Sequence, residues 1–323
     1  MPALGDLGDL LHKFNPWHKD EHPPPPPISP STAYSLLALY ALIYFIPFYL
    51  SPLTRPSPTL SRDSPSVIRA RIRSVSLSCL LCAGATWLVL TRTAHATPSQ
   101  ALHLLGLYPV GLSATLRCST LTALLFLGPL YSYFIIERGY RDWLRLAPIK
   151  EAFTEWITYR NILAGPITEE ILFRSTSIPL MLLAQCPLPK IIFLSPIIFG
   201  LAHIHHFYEF RLTHPQVPAS AALLRSVFQL GYTTLFGAYA TFLFLRSGSL
   251  LAVCAVHAFC NCMGLPQIWG RLGFEEEELG GKKRNIGWTV AYYILLVAGA
   301  WGWWRGLWVL SECSNGLVSS EAF

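Results

Sequence analysis

Pro166 to Ala184 reads PITEEILFRSTSIPLMLLA, a stretch long enough to cross a lipid bilayer that nevertheless carries Glu169, Glu170 and Arg174. An ionisable side chain in the hydrocarbon costs about 2.5–3.5 kcal/mol even on insertion scales. Three of them in one apolar run imply a polar cavity inside a membrane domain rather than a surface turned to lipid. Two other stretches repeat the pattern: His203 is followed by His205 and His206, and His257 by Asn261. Together the three clusters point to an active site built inside a membrane.

The rest of the chain supports the membrane half of that inference. Of its 323 residues 52% are hydrophobic and only 13% charged, with 10 Trp and a mean hydropathy of +0.41. Such a chain is far more apolar than a soluble domain. Apolar runs near the length a helix needs to cross the hydrocarbon begin with Tyr34 to Leu50, Ser74 to Leu90 and Ser119 to Ile136. They continue with Pro166 to Ala184, Lys190 to His203, Leu223 to Leu245, Leu250 to Met263 and Trp288 to Leu310. The predicted fold is therefore an all-α, polytopic membrane protein of about eight transmembrane helices, the fifth and seventh short. Short, polar-interrupted spans line cavities more readily than they face lipid.

Residues 1–30, with the run Pro23 to Pro27, are expected to form a disordered, polyproline-rich tail without the layout of a signal peptide. Residues 31–312 form the predicted transmembrane domain and 313–323 a short tail. The loops after the first, third, fifth and seventh spans hold most of the 24 Lys and Arg, among them Arg55, Arg62, Arg138, Arg211 and Lys282. The positive-inside rule assigns these loops to the cytosol. Glu169 follows one such loop, and His203 and Asn261 each precede another, so all three clusters are expected at the cytosolic face. The basic excess is read as membrane-surface charge, and no nucleic-acid-binding signature occurs. The run Glu275 to Glu278 with Lys282, Lys283 and Arg284 is read as a solvated loop.

Helical spacing sets the local geometry. Glu170 and Arg174 stand four apart and should pair, leaving Glu169 on another azimuth as the candidate base. His257 and Asn261, also four apart, would present an imidazole nitrogen and an amide NH2 side by side, as an oxyanion hole requires. The plainer alternative is a pair of interhelical hydrogen bonds, worth about 0.6 kcal/mol on average in membranes. His203 alone could be an interface or helix-capping group, and His205 and His206 are expected in or near the basic loop and solvated, with the alternative that one of them backs up the site.

Other chemistries fare less well. No HExxH string occurs, although Glu169, Glu170, His203 and His257 could in principle hold zinc. The aspartates, Asp6, Asp9, Asp20, Asp63 and Asp142, all lie outside the predicted spans, so an intramembrane aspartate dyad is excluded. Cys260 is near His257, but cysteines within spans usually pack as small apolar residues, and no disulfide framework is indicated. A transporter would show inverted repeats, which are not apparent.

Three motifs carry a family resemblance: Glu169-Glu170-Ile171-Leu172-Phe173-Arg174, then Phe199-Gly200-Leu201-Ala202-His203-Ile204-His205-His206, then His257-Ala258-Phe259-Cys260-Asn261-Cys262-Met263-Gly264. In that order they resemble the signatures of type II CAAX prenyl endopeptidases, the Ras-converting enzymes of the abortive-infection (ABI) peptidase family. The stretch Arg62-Asp63-Ser64-Pro65-Ser66-Val67-Ile68-Arg69 resembles that family's first cytosolic loop. The resemblance implies an endoplasmic-reticulum protease, its active site facing the cytosol, that removes the last three residues of prenylated CAAX-box proteins such as small GTPases. Carried over residue by residue, Glu169 and His203 would activate water and His257 and Asn261 would stabilise the oxyanion, supported by Glu170 and Arg174. No cofactor is expected, and this chain departs from the pattern at none of the four catalytic positions. The alternatives are a zinc-dependent version of the same peptidase and a non-catalytic scaffold that binds prenylated tails.

Overall fold

A computed structural model describes residues 25–272, 286–319 and 322. Most of the proline-rich tail and the whole acidic-basic run at 275–284 lie outside the described residues. Among those residues the secondary structure is helical, without a strand.

The first helix, α1 (Pro30–Leu50), opens with Pro30 at its first position, while the Ser29 side chain accepts from the Thr32 N–H. Its buried residues Ala33, Leu37, Tyr40 and Ala41 form one stripe. Tyr40 Oη reaches Thr86 Oγ1 at 3.0 Å on α2 (Pro65–Thr93). The start of α2 lies well ahead of the predicted Ser74, so Arg69, Arg71 and Arg73 stand on a helix rather than in a loop. Pro65 fits a first helical turn, and arginine is a good helix former whether or not lipid surrounds it.

The third predicted span is broken. Helices α3 (Leu112–Leu125) and α4 (Leu127–Ile136) meet at an angle of 84°. Pro129 explains the position of the break, because its ring would collide with the carbonyl of Leu125 and it offers no N–H to it.

The glutamates lie on α5, a continuous helical run over residues 156–183 that contains two wide π-helical turns, Arg160–Ala164 and Ile171–Thr176. It starts before the predicted Pro166 because the first π-turn takes up the disturbance that this proline makes in the ladder. Leu172, Ile178, Leu180 and Met181 have no exposed surface, so α5 is the inner helix of the bundle.

Next comes α6 (Leu188–Thr213), interrupted after Phe193 and at 203–204, then α7 (Ala219–Ser247), α8 (Leu250–Met263) and α9 (Ile286–Ser311). Gly248 ends α7 in the left-handed region at φ 58°, where a Cβ would strike the Asn315 carbonyl. The Leu317 N–H donates to Leu245 O at 2.7 Å, so the start of the predicted C-terminal tail is tied back onto the bundle.

On length and composition α1, α2, α6 and α9 can cross a membrane, and the α3–α4 pair, counted as one span, makes up to five. The expected count of eight is not reached on those criteria. The remaining candidates are the polar ones: α8 has 14 residues, α7 carries Gln229, Tyr232 and Thr233, and α5 carries the charges. Polarity is tolerated there because these helices line cavities or the core. Peripheral α9 is the opposite, exposing Val297, Trp301 and Trp304.

Candidate active site

Glu169 and Glu170 end the α-helical turn Gly165–Glu170, held between the two π-turns of α5. Such turns are frequent at functional sites because they redirect side chains without ending the helix. Glu170 turns into the core and is fully buried, whereas the Glu169 side chain keeps 22% of its surface.

A buried ion pair depends on the hydrogen bonds it makes, and here they are incomplete, since Glu170 Oε2 and Arg174 Nε find no partner among the described residues. Arg174 Nη1 donates to Glu170 Oε1 at 3.0 Å, the pairing expected from the spacing, and Arg174 Nη2 donates to Gly237 O at 3.2 Å. The guanidinium also lies 4.7 Å from the centre of the Phe199 ring. The same carboxylate oxygen, Glu170 Oε1, is 2.6 Å from His257 Nδ1. Since that oxygen only accepts, the network places a proton on Nδ1. His257 Nε2 is thereby aimed at Glu169, 3.9 Å from its Oε2.

His203 sits at the break in α6, just beyond Ser195–Ala202. Its Nδ1 is 2.9 Å from Phe199 O, and its ring packs edge-on against Phe199 at 4.9 Å. With Nδ1–H committed to a carbonyl, Nε2 carries the lone pair. Asn261, one turn beyond His257, donates from Nδ2 to Asn161 O at 2.8 Å.

Two cavities meet at these side chains, and Glu169, His203 and Asn261 line both of them. The first, of about 180 Å³, is walled by Arg62, Arg71, Arg160, Asn161 and Tyr44. The second, of about 700 Å³, is largely apolar, lined by Leu125, Phe126, Leu235, Phe236 and Tyr239 together with His257. All six residues singled out in the sequence thus belong to one neighbourhood.

His205 and His206 are not in a loop, and both line the first cavity, in keeping with the alternative that one backs up the site. Both lie on the helical segment His205–Thr213; His205 stacks on Phe45, and His206 Nδ1 is 3.4 Å from Glu209 Oε2. A polar, His-rich run reads as loop, but Glu209 three residues on supplies a helical partner. Glu209 is itself buried and binds Arg62 at 3.1 Å and Arg71 at 2.8 Å. Burial pushes the Arg62 guanidinium below its ordinary range, against the pull of Glu209. Asn161 and this basic wall were not foreseen, and only the run of arginines in the two predicted loops hinted at them.

Among the described residues no group of three or more His, Cys, Asp or Glu is arranged to hold a metal ion. The oxygen of Glu170 that faces His257 is already shared with Arg174. All eight cysteines are free, and no hydrogen bond joins Cys260 to an imidazole among the described residues.

A family model described as Type II CAAX prenyl endopeptidase Rce1-like matches residues 152–263, which include every residue of this cluster. The "Probable CAAX prenyl protease 2" of Schizosaccharomyces pombe is 38% identical over 266 residues, 82% of this chain and 89% of the relative. The "CAAX prenyl protease 2" of Homo sapiens is 36% identical over 228 residues, 66% of each chain. That of Saccharomyces cerevisiae is 29% identical over 303 residues, 82% of this chain and 91% of the relative. No solved structure matches the chain.

Proposed function

The chain belongs to the Rce1-like family of type II CAAX prenyl endopeptidases, and on that premise we propose that it removes the C-terminal tripeptide of prenylated CAAX proteins, small GTPases among them, by a water molecule activated at Glu169 and His203. The observation that carries the proposal is the meeting of a polar and an apolar cavity at Glu169, His203 and Asn261.

In this mechanism the peptide lies in the polar cavity and the lipid chain in the apolar one. Water between Glu169 and the Nε2 lone pair of His203 attacks the carbonyl carbon of the prenylated cysteine, and its proton passes to Glu169. The oxyanion that forms is met by the Asn261 amide and by His257 Nε2–H. Glu170 holds Nδ1–H, so Nε2 is the His257 nitrogen turned to the oxyanion, and it donates there when it carries a proton. Collapse of the intermediate breaks the C–N bond, and the proton held on Glu169 goes to the leaving amine. General acid–base help of this kind supplies about 10²–10⁴-fold. The mechanism needs no metal ion. The setting proposed is the endoplasmic-reticulum membrane, with the polar cavity open to the cytosol.

The test is release of a free tripeptide from a farnesylated C-terminal peptide by purified protein. Glu169→Ala should abolish release while the protein still inserts into membranes, and a strong chelator should leave the wild-type rate unchanged. Retained activity in the variant would remove Glu169 as base; loss with chelator would make the enzyme metal-dependent.

A further inference from the structure

The polar cavity holds charge that water activation does not use. Arg62, Arg71 and Arg160 all line it, and the carboxylates paired with them are Glu209 and Asp63. Glu209 is buried against Arg62, Arg71 and His206, so its role is to hold the guanidiniums in place. Asp63 differs: its side chain is 48% exposed and sits on Arg160 Nη1 at 2.7 Å. An exposed pair contributes little and exchanges readily. Three guanidiniums against two carboxylates leave one end of the cavity positive, while Glu169 makes the other end negative.

We propose that Arg160, backed by Arg62, is the receptor for the free C-terminal carboxylate of the substrate peptide, which displaces Asp63. The proposal rests on the endopeptidase reading and extends it to how the chain end is recognised. Arg160 and Glu169 lie on the same helix and line the same cavity, nine positions apart in the sequence. At about 1.5 Å per residue that is at most roughly 13 Å of axis, and less over the wide π-turn Arg160–Ala164. An extended tripeptide spans roughly 10 Å at about 3.3–3.6 Å per residue, and the arginine stem covers the remainder. Arg160 commits Nε to Asn161 Oδ1 and Nη1 to Asp63 and Arg62 O, whereas Nη2 has no partner among the described residues. The fork presented to a carboxylate is therefore Nη1, once Asp63 leaves, together with Nη2. Its distance from the catalytic side chains is fixed by the bond from Asn261 Nδ2 to the carbonyl of the next residue, Asn161.

The test compares two farnesylated peptides identical except for a C-terminal carboxylate or carboxamide. Wild-type protein should prefer the acid by about ten- to hundred-fold in kcat/KM, mostly through KM, the value of a hydrogen-bonded charge. In R160Q that ratio should collapse towards one, and R160K should restore part of it; R62Q is the second variant if R160Q does not accumulate. Equal cleavage of acid and amide by wild type, or an undiminished ratio in both Gln variants, would overturn the proposal and leave the endopeptidase intact. Cleavage of neither peptide by wild type would overturn both.

Discussion

At the scale of single residues, one oxygen atom decides the geometry. Glu170 Oε1 receives both Arg174 and His257, so losing its charge should uncouple two side chains at once. Glu170→Ala leaves a buried guanidinium unpaired, and the expected loss is about 3–5 kcal/mol of stability, read by thermal unfolding in detergent; an unchanged melting temperature would contradict the pairing. Asn261→Ala should raise the barrier by about 2.7–4 kcal/mol, a loss of about 10²–10³ in turnover, and an unchanged rate would reduce its contact with Asn161 to packing. The Glu170–Arg174 pair was legible in the sequence because a helix alone brings residues four apart together. The partnership of His257 with Glu170 was not, nor was that of Arg71 with Glu209, since these residues stand 87 and 138 positions apart. Only the packing of helices decides such pairs.

Among elements, the close approach of α6 to α7 holds Arg174. A Cβ on Gly237 would come within 2.7 Å of Pro196 Cβ and 3.1 Å of Arg174 Nη2. Gly237→Ala should therefore cost about 1–3 kcal/mol through overpacking and lower turnover by shifting the guanidinium. Gly231→Ala on the same helix, where nothing lies within 4 Å of the added carbon, should be neutral or stabilising by up to about 1 kcal/mol. Equal effects at the two positions, followed by chemical or thermal unfolding, would show that the contact does not matter. Element positions were readable from apolar runs, but element starts were not. Helices α2 and α5 extend past their apolar cores, α2 from the proline in its first turn and α5 through the π-turn ahead of Pro166, because backbone hydrogen bonding sets a helix start while lipid thickness sets only the apolar part. The bend between α3 and α4 was signalled by Pro129, a cue that hydropathy averages away.

For the whole molecule, the decisive property is that a basic cavity and an apolar one share three side chains. A substrate without its lipid should lose at least about hundredfold in kcat/KM, because even one acyl chain partitions to membranes with a constant near 10⁴ M⁻¹; comparable cleavage of prenylated and unprenylated peptides in vesicles would argue against the assignment of the cavities. Membrane character was plain from composition. The number of crossings was not, because helices that line cavities, such as α5 and α7, give up the hydropathy by which crossings are counted. Since one continuous helical run bears both Arg160 and Glu169, in the proposed mechanism it would work as a yardstick with the water-activating carboxylate at one mark and the chain end at another. Removing a residue from the π-turn Arg160–Ala164 would rotate and shorten that scale, and the fragment set free should change in length or cease to be uniform, which mass spectrometry of the released peptide would read directly.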